Sequence, residues 1–266
     1  MPTVLITGCS SGFGLETARL FLDRGWEVVA TMRVPDAEVL PPSDRLRMLP
    51  LDITDAASVA RAIAEAGPID VLVNNAGFGV PSPIELTAPE TVRALFETNT
   101  LGTLAMVRAV LPAFRQRRAG VIINVTSSVT LKPLPLVGLY RASKAAVNAF
   151  TESLAVEVAP FGVRVHLVLP GRAPETRFGE NAFPHLRGRD NPDYAPMIER
   201  IVASIHDNTG PMTRSSEVAE AIWRVANDPS APLRIAAGAD AEAWMAEAGL
   251  SLPNTFAEDC RVPSEP

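Results

Sequence analysis

The chain is predicted to fold as an α/β protein, a parallel sheet doubly wound with helices on both faces. Three observations lead there. Short apolar runs alternate with helical segments along most of the chain. The runs carry apolar residues at successive positions, as strands covered from both sides do. A glycine-rich turn joins the first strand to the first helix.

Residues 3–7 form a β-branched run. Residues 14–24 then place Leu15, Ala18 and Leu22 at helical spacing. Residues 26–32 and 46–51 read as strands, residues 56–66 as a helix capped by Thr54, and residues 69–73 as a strand between Pro68 and Asn74. Pro89, tolerated in a first turn, opens a long helix that runs to Arg118 with a bend at Pro112. Residues 121–126 form a strand, and residues 140–159 a helix closed by Pro160, Phe161 and Gly162. Residues 163–169 are a strand ended by Pro170 and Gly171, residues 217–227 a helix and residues 233–236 a late strand. The proline-rich stretch 174–211 breaks this rhythm. It reads as an inserted loop with one short helix around 195–205, and loops of such length are commonly functional. Residues 1–250 are read as one domain and 251–266 as a polar tail.

Composition excludes several classes. With 266 residues, 47% hydrophobic and 20% charged, the chain can bury a substantial core and is neither disordered nor collagen-like. Acids outnumber bases 30 to 24, which argues against nucleic acid or an anionic membrane as the main partner. Cys9 and Cys260 are too few for a disulfide scaffold and lack a metal-ligand spacing, so no metal is expected. No apolar run is long enough to span a membrane, and the opening residues lack a signal-peptide pattern. The cytoplasm is the expected location.

The turn Gly8-Cys9-Ser10-Ser11-Gly12-Phe13-Gly14 lies between strand and helix. Glycines there let the backbone approach a pyrophosphate, and the helix N-terminus offers unpaired N–H groups and partial positive charge. This makes the sheet Rossmann-type. The same residues match G-x-S-x-G, the nucleophile elbow of a hydrolase, with Ser10 as nucleophile. An elbow normally follows several strands, one of which supplies the oxyanion loop, whereas only six residues precede Thr7 here, so the Ser10 hydrolase is the less favoured alternative. An NAD site would carry an acid at the end of the second strand to bind the ribose 2′-OH. This chain has Arg33 there, which suits a 2′-phosphate with help from Ser10, although Asp36 follows beyond Pro35. NADP(H) is therefore expected ahead of NAD(H). Tyr140 and Lys144 lie four apart on one helix face, where an ammonium would lower the pKa of a phenol and make it a usable acid or base.

Three motifs in this order, Thr7-Gly8-x3-Gly12-x-Gly14, Asn74-Asn75-Ala76-Gly77 and Tyr140-x3-Lys144, resemble the short-chain dehydrogenase/reductase family in its short single-domain branch. The opening turn and residues 30–33 are similar to steroid and retinol dehydrogenase members. The resemblance implies a catalytic set of Asn99, Ser127, Tyr140 and Lys144. Ser127 lies thirteen residues before Tyr140, and Ser128 is the rival serine. It also implies adenine contacts from Asp52 and Ile53, an adenosine-ribose turn at Asn75, Ala76 and Gly77, ribose contacts from Tyr140 and Lys144, and a nicotinamide seat at Pro170, Gly171 and Ala173. One departure stands out: the family threonine after Pro170-Gly171 comes one residue late, as Thr176, and Pro174 removes a backbone donor. Arg172 is an unexpected charge that points either to solvent or to an acidic substrate.

The implied activity is NADP(H)-dependent interconversion of a carbonyl and an alcohol, with a homodimer or homotetramer as the assembly. A non-catalytic NADP(H)-binding sensor on the same fold is the second reading. Substrate walls are expected from residues 78–80, residues 130–137 and the 174–211 loop. Leu131, Leu134, Leu136 and Phe183 would make the pocket apolar, with His185 and His206 as surface histidines. Trp223 and Trp244 are expected to pack in the C-terminal helices.

Overall fold

The computed structural model describes residues 1–206 and 210–249, so Cys260 and the tail 251–266 lie outside the described residues. Seven parallel strands form one sheet. In chain order they are β1 (Thr3–Thr7), β2 (Glu27–Met32), β3 (Leu46–Pro50), β4 (Val71–Asn74), β5 (Gly120–Val125), β6 (Val163–Pro170) and β7 (Arg234–Ala237). In space they run β3-β2-β1-β4-β5-β6-β7. The order reverses between β1 and β4, and in such sheets the crevice at the carboxyl ends beside that reversal is the ligand position.

Alternation along the strands explains the two-sided wrapping. Val4, Ile6, Val71, Val73, Val121 and Ile123 face one core, under helices α1 (Gly12–Asp23) and α8 (Ser215–Asn227). Leu5, Leu72 and Ile122 face the other, under α2 (Ala56–Ala66), α4 (Thr103–Arg117) and α5 (Gly138–Val158). Phe21, Trp26 and Trp223 meet edge to face in the first core, with centroids 4.9 to 5.6 Å apart. Trp244 does not join them: it lies under the Lys132 ammonium, 4.1 Å from ring centroid to Nζ.

Three expectations need correction. The helix α2 is capped by Asp55, whose carboxylate accepts from Ala57 N at 2.9 Å, while the Thr54 hydroxyl turns back to Asp52. The long helix does not break at Pro112. It is α3 (Pro89–Phe96), then a wide π-type turn over Glu97–Gly102, then α4. That turn aims Asn99 inward, and Gly102 lets it seat on Ile53, where a Cβ would lie 2.7 Å from the isoleucine side chain. The 174–211 stretch holds more structure than one helix: α6 (Phe178–Ala182), a single tight turn at Phe183–His185, and α7 (Ala195–His206). A last helix, α9 (Ala239–Glu247), follows β7. Among the described residues no helix is long and apolar enough to cross a membrane.

One buried titratable group sits far from the glycine turn. His166 on β6 is covered, with Nδ1 2.9 Å from Pro232 O and Nε2 3.3 Å from the Arg164 guanidinium. Burial, reinforced by Arg164, pulls its pKa down to about 4. The folded state therefore keeps His166 neutral where the unfolded chain protonates it. Its contribution is whole above pH 6.5 and is lost as pH falls from 6.5 to 4, a change of about 3 kcal/mol. We expect the stability deficit of His166→Gln to shrink over that window in urea denaturation; a deficit constant with pH would contradict this.

Candidate active site

The turn after β1 is held by its neighbours. Gly8 (φ +76°) and Gly12 (φ +59°) adopt left-handed backbone that favours glycine. Gly8 N and Cys9 N donate to Thr31 O at 3.0 and 2.9 Å. Across the reversal, Asn75 Nδ2 donates to Thr7 O and Gly8 O, and the Thr7 hydroxyl accepts from Asn75 N and Ala76 N. A Cβ on Gly8 would lie 2.9 Å from Ala76 Cα, and one on Gly14 would lie 2.6 Å from Asn75 Nδ2. The two turns therefore interlock only with glycine at both places. Ser11 precedes α1 without capping it by its side chain, so the first amides of α1 have no partner from that residue. Cys9 points into the core, donates to Ile6 O, and is pushed up to about 12 by burial, so it is an inert thiol.

A cavity of about 570 Å³ runs along the carboxyl ends of the strands. One end holds Ser10, Arg33, Asp52 and Ile53, and Asn75, Ala76 and Gly77 line its middle beside the glycine turn. Asp52 accepts from Thr54 N at 2.9 Å and Thr54 Oγ1 at 2.7 Å; those bonds, then the nearby Arg33, hold its carboxyl below the usual range. Ser10 is exposed in the cavity, and among the described residues no histidine hydrogen-bonds it.

The far end holds Tyr140 and Lys144, on the first two turns of α5 and both buried. Tyr140 is pushed up to about 12 by burial, and its hydrogen bond with Ser127 pulls only part of the way back. Ser127, not Ser128, is thus the serine beside the phenol; Ser128 starts the turn that Ser127 caps. The expected ammonium–phenol pairing is corrected here. Lys144 Nζ donates to Val125 O at 3.0 Å, and burial pulls its pKa down to about 8.

Asn99 is buried among its hydrogen-bond partners. Its amide donates to Phe78 O and Ser143 Oγ, and its Oδ1 accepts from Phe78 N at 3.0 Å. It fastens the loop after β4 to α5. Gly77 lies between the two groups: a Cβ there would be 2.9 Å from Asn99 Oδ1 and 3.4 Å from Lys144 Nζ.

The substrate side departs most from expectation. Leu131, Leu134, Leu136 and Phe183 are not among the residues lining the cavity; Phe78, Phe178, Asn181 and His185 are. Leu136 is turned away by a left-handed backbone (φ +65°) and is buried where its carbonyl accepts from Ser82 N. Phe178 tilts over Tyr140 with centroids 5.5 Å apart, and His185 lies against Phe78 at 5.4 Å, so His185 is a cavity residue and not a bare surface histidine. Thr176 reaches the glycine turn, with its Cβ 3.4 Å from where a Cβ of Gly12 would be. Arg172 extends toward α7, 3.5 Å from Ser204 O. Pro170, Gly171 and Ala173 stand behind the lining: Gly171 N donates to Thr213 Oγ1, and Ala173 O accepts from Thr176. Thr126, which carries no sequence signal, lines the cavity with a buried hydroxyl that has no hydrogen-bond partner.

A parallel sheet with its cavity at the strand-order reversal defines a doubly wound enzyme fold of the nucleotide-binding kind. Residues 2–186 match the short chain dehydrogenase family model, and the chain belongs to that family of oxidoreductases. Over 258 residues it is 36% identical to 3-ketodihydrosphingosine reductase of Bacteroides thetaiotaomicron, covering 95% of this chain and 94% of that protein. It is 33% identical over 255 residues to human (Homo sapiens) retinol dehydrogenase 8, covering 87% and 80%. Among solved structures it is similar to a short chain dehydrogenase from Burkholderia cenocepacia in complex with NADP, with a TM-score of 0.73, 30% identity, and 94% and 93% of the two chains covered.

The lowered Lys144 pKa predicts a stability cost. Below pH 8 the ammonium is charged in both states, and its burial penalty is felt in full. Lys144→Met should then stabilise the chain at pH 7 by up to about 3 kcal/mol, with the gain shrinking as pH rises from 8 to 10.5. Chemical denaturation at several pH values checks this; a loss of stability at every pH would contradict it.

Proposed function

We propose that this chain is an NADP(H)-dependent oxidoreductase that interconverts a ketone or aldehyde with an alcohol on an apolar small molecule. The observation that carries this is the buried Tyr140, hydrogen-bonded to Ser127, lining a cavity that Arg33 also lines. The residues present fit the cofactor. The glycine turn is a cradle that a Cβ would fill, and the first amides of α1 lack a capping side chain. Gly8, Ser11, Gly12, Phe13 and Gly14 would hold the pyrophosphate, Arg33 and Ser10 the 2′-phosphate, and Asp52 and Ile53 the adenine. Asn75, Ala76 and Gly77 would line the adenosine ribose. Pro170, Gly171 and Ala173, with Thr176, would back the nicotinamide. NADP(H) over NAD(H) is supported by Arg33 standing where an NAD site keeps an acid, and by the NADP complex of the Burkholderia relative.

When bound, the nicotinamide supplies or accepts the hydride. In reduction Tyr140 donates its proton to the carbonyl oxygen, and Ser127 donates a hydrogen bond to the same oxygen. A phenol held near 12 is reluctant to release that proton. The Ser127 hydrogen bond lowers the cost of the negative charge left on Tyr140, and Lys144, four residues along the same helix face, would hold the nicotinamide ribose. Asn99 keeps Phe78 and α5 in fixed relation, and Phe78 and Phe178 give the substrate apolar walls. Residues 1–250 would act as one catalytic domain with 174–211 as its substrate loop, assembled as a homodimer or homotetramer. 3-Ketodihydrosphingosine, named in the Bacteroides relative, is the first substrate to assay.

Two experiments test the reading. Thermal melting with equal NADPH and NADH should give the larger rise with NADPH, and Arg33→Asp should remove that difference. No rise with either nucleotide would overturn the cofactor. Tyr140→Phe should slow turnover by about 10²–10⁴-fold while leaving NADPH affinity nearly unchanged. An equal loss of both would remove Tyr140 from the chemistry.

A further inference from the structure

The turn after β6 carries an unusual number of side-chain constraints, and they come from residues beyond the 2–186 match. Asp240, on the first turn of α9, is buried and accepts from Arg172 N through Oδ2 at 2.6 Å. Thr213, also buried, accepts from Gly171 N at 3.0 Å, and its hydroxyl lies 2.7 Å from Asp240 Oδ1 and 3.0 Å from Ala237 O. Thr213 N donates back to Arg172 O at 2.8 Å. Two successive amides of the turn are thereby held by two buried side chains that touch each other, and the Arg172 carbonyl by the Thr213 backbone amide. Gly171 is needed for this, because a Cβ there would overlap the Asp240 carboxylate.

A buried carboxylate is costly unless its oxygens are hydrogen-bonded. Here Oδ2 takes the Arg172 amide, and Oδ1 takes the Thr213 hydroxyl, which itself accepts from Gly171 N just behind the cavity. The next residues lead straight to the cavity: Ala173 O accepts from Thr176, and Thr176 meets Gly12. Displacing the Gly171–Arg172 peptide would therefore shift the chain that backs the Tyr140 end of the cavity. It would leave the Arg33 end, built on β2 and on residues 52–53, where it is.

We propose that Asp240 and Thr213 are positioning residues that hold the turn after β6 so that it can seat the nicotinamide half of the cofactor. This rests on the NADP(H) reading given above. The side chains touch no substrate; they act through the backbone of Gly171 and Arg172. The C-terminal helix α9 thereby becomes part of the cofactor site, although no glycine or phosphate motif marks it.

The test separates the two halves of the nucleotide. NADPH and 2′,5′-ADP, the adenosine half alone, are titrated calorimetrically into the full chain and into Asp240→Ala, Asp240→Asn and Thr213→Val, with melting curves as folding controls. Loss of a side-chain hydrogen bond to the turn, from the carboxylate in Asp240→Ala and the hydroxyl in Thr213→Val, should weaken NADPH about tenfold while 2′,5′-ADP stays within about twofold. Asp240→Asn, which keeps an oxygen for Arg172 N, should recover much of the NADPH affinity. Unchanged NADPH affinity in the folded variants, or an equal loss of both ligands, overturns the positioning role and leaves the cofactor reading standing. If the unaltered chain binds neither ligand, the cofactor reading falls and this proposal falls with it.

Discussion

The interlock between the turns after β1 and β4 is the constraint on which the site depends. Asn75 donates twice to Thr7 across the strand-order reversal, from its backbone and its side-chain amide, and Gly8 and Gly14 let the two backbones meet at contact distance. A side chain at either glycine would push the turns apart and rotate the start of α1. The direction of the α1 amides, the middle of the cavity and the course of residues 75–78 all follow from this packing. Phe78 then passes the constraint to Asn99, and Asn99 passes it to Ser143 on α5, the helix that carries Tyr140 and Lys144.

Burial sets the chemistry at the other end. Tyr140 and Lys144 are both removed from water, so desolvation moves them in opposite directions, the phenol up and the ammonium down. Each has one strong local partner, Ser127 for the phenol and Val125 O for the ammonium. The two values move apart, from 10 and 10.5 to about 12 for the phenol and about 8 for the ammonium, a spread that leaves the phenol protonated and the lysine charged near neutral pH. That is the protonation pattern a reductase needs before the proton moves.

Much of the sheet was legible because parallel strands covered on both faces have an unmistakable pattern: Val4, Leu5 and Ile6 in succession serve two cores. The glycine turn was legible because each glycine answers to a backbone contact. Other features left no such trace. Helical periodicity does not encode one extra residue in a turn, so the π-type turn at Asn99 was invisible, and Pro112 drew attention to the wrong place. Spacing alone put Lys144 beside Tyr140 on one face, yet it could not say that a strand carbonyl, Val125 O, would take the ammonium's hydrogen bond. The apolar leucines of 131–136 promised a wall, but Leu136 has a left-handed backbone and is buried off the lining, Leu131 and Leu134 do not line the cavity, and Phe178 and His185 do. Asp240 belongs to no motif; only folding brings it to Gly171.

The most direct measurement is a crystal structure of the chain grown with NADP+. The account predicts density along the rim, with the 2′-phosphate at Arg33, the pyrophosphate at the amides of α1, and the nicotinamide ribose within hydrogen-bonding reach of Tyr140 and Lys144. A nucleotide bound in the reverse direction, or outside this cavity, would contradict it.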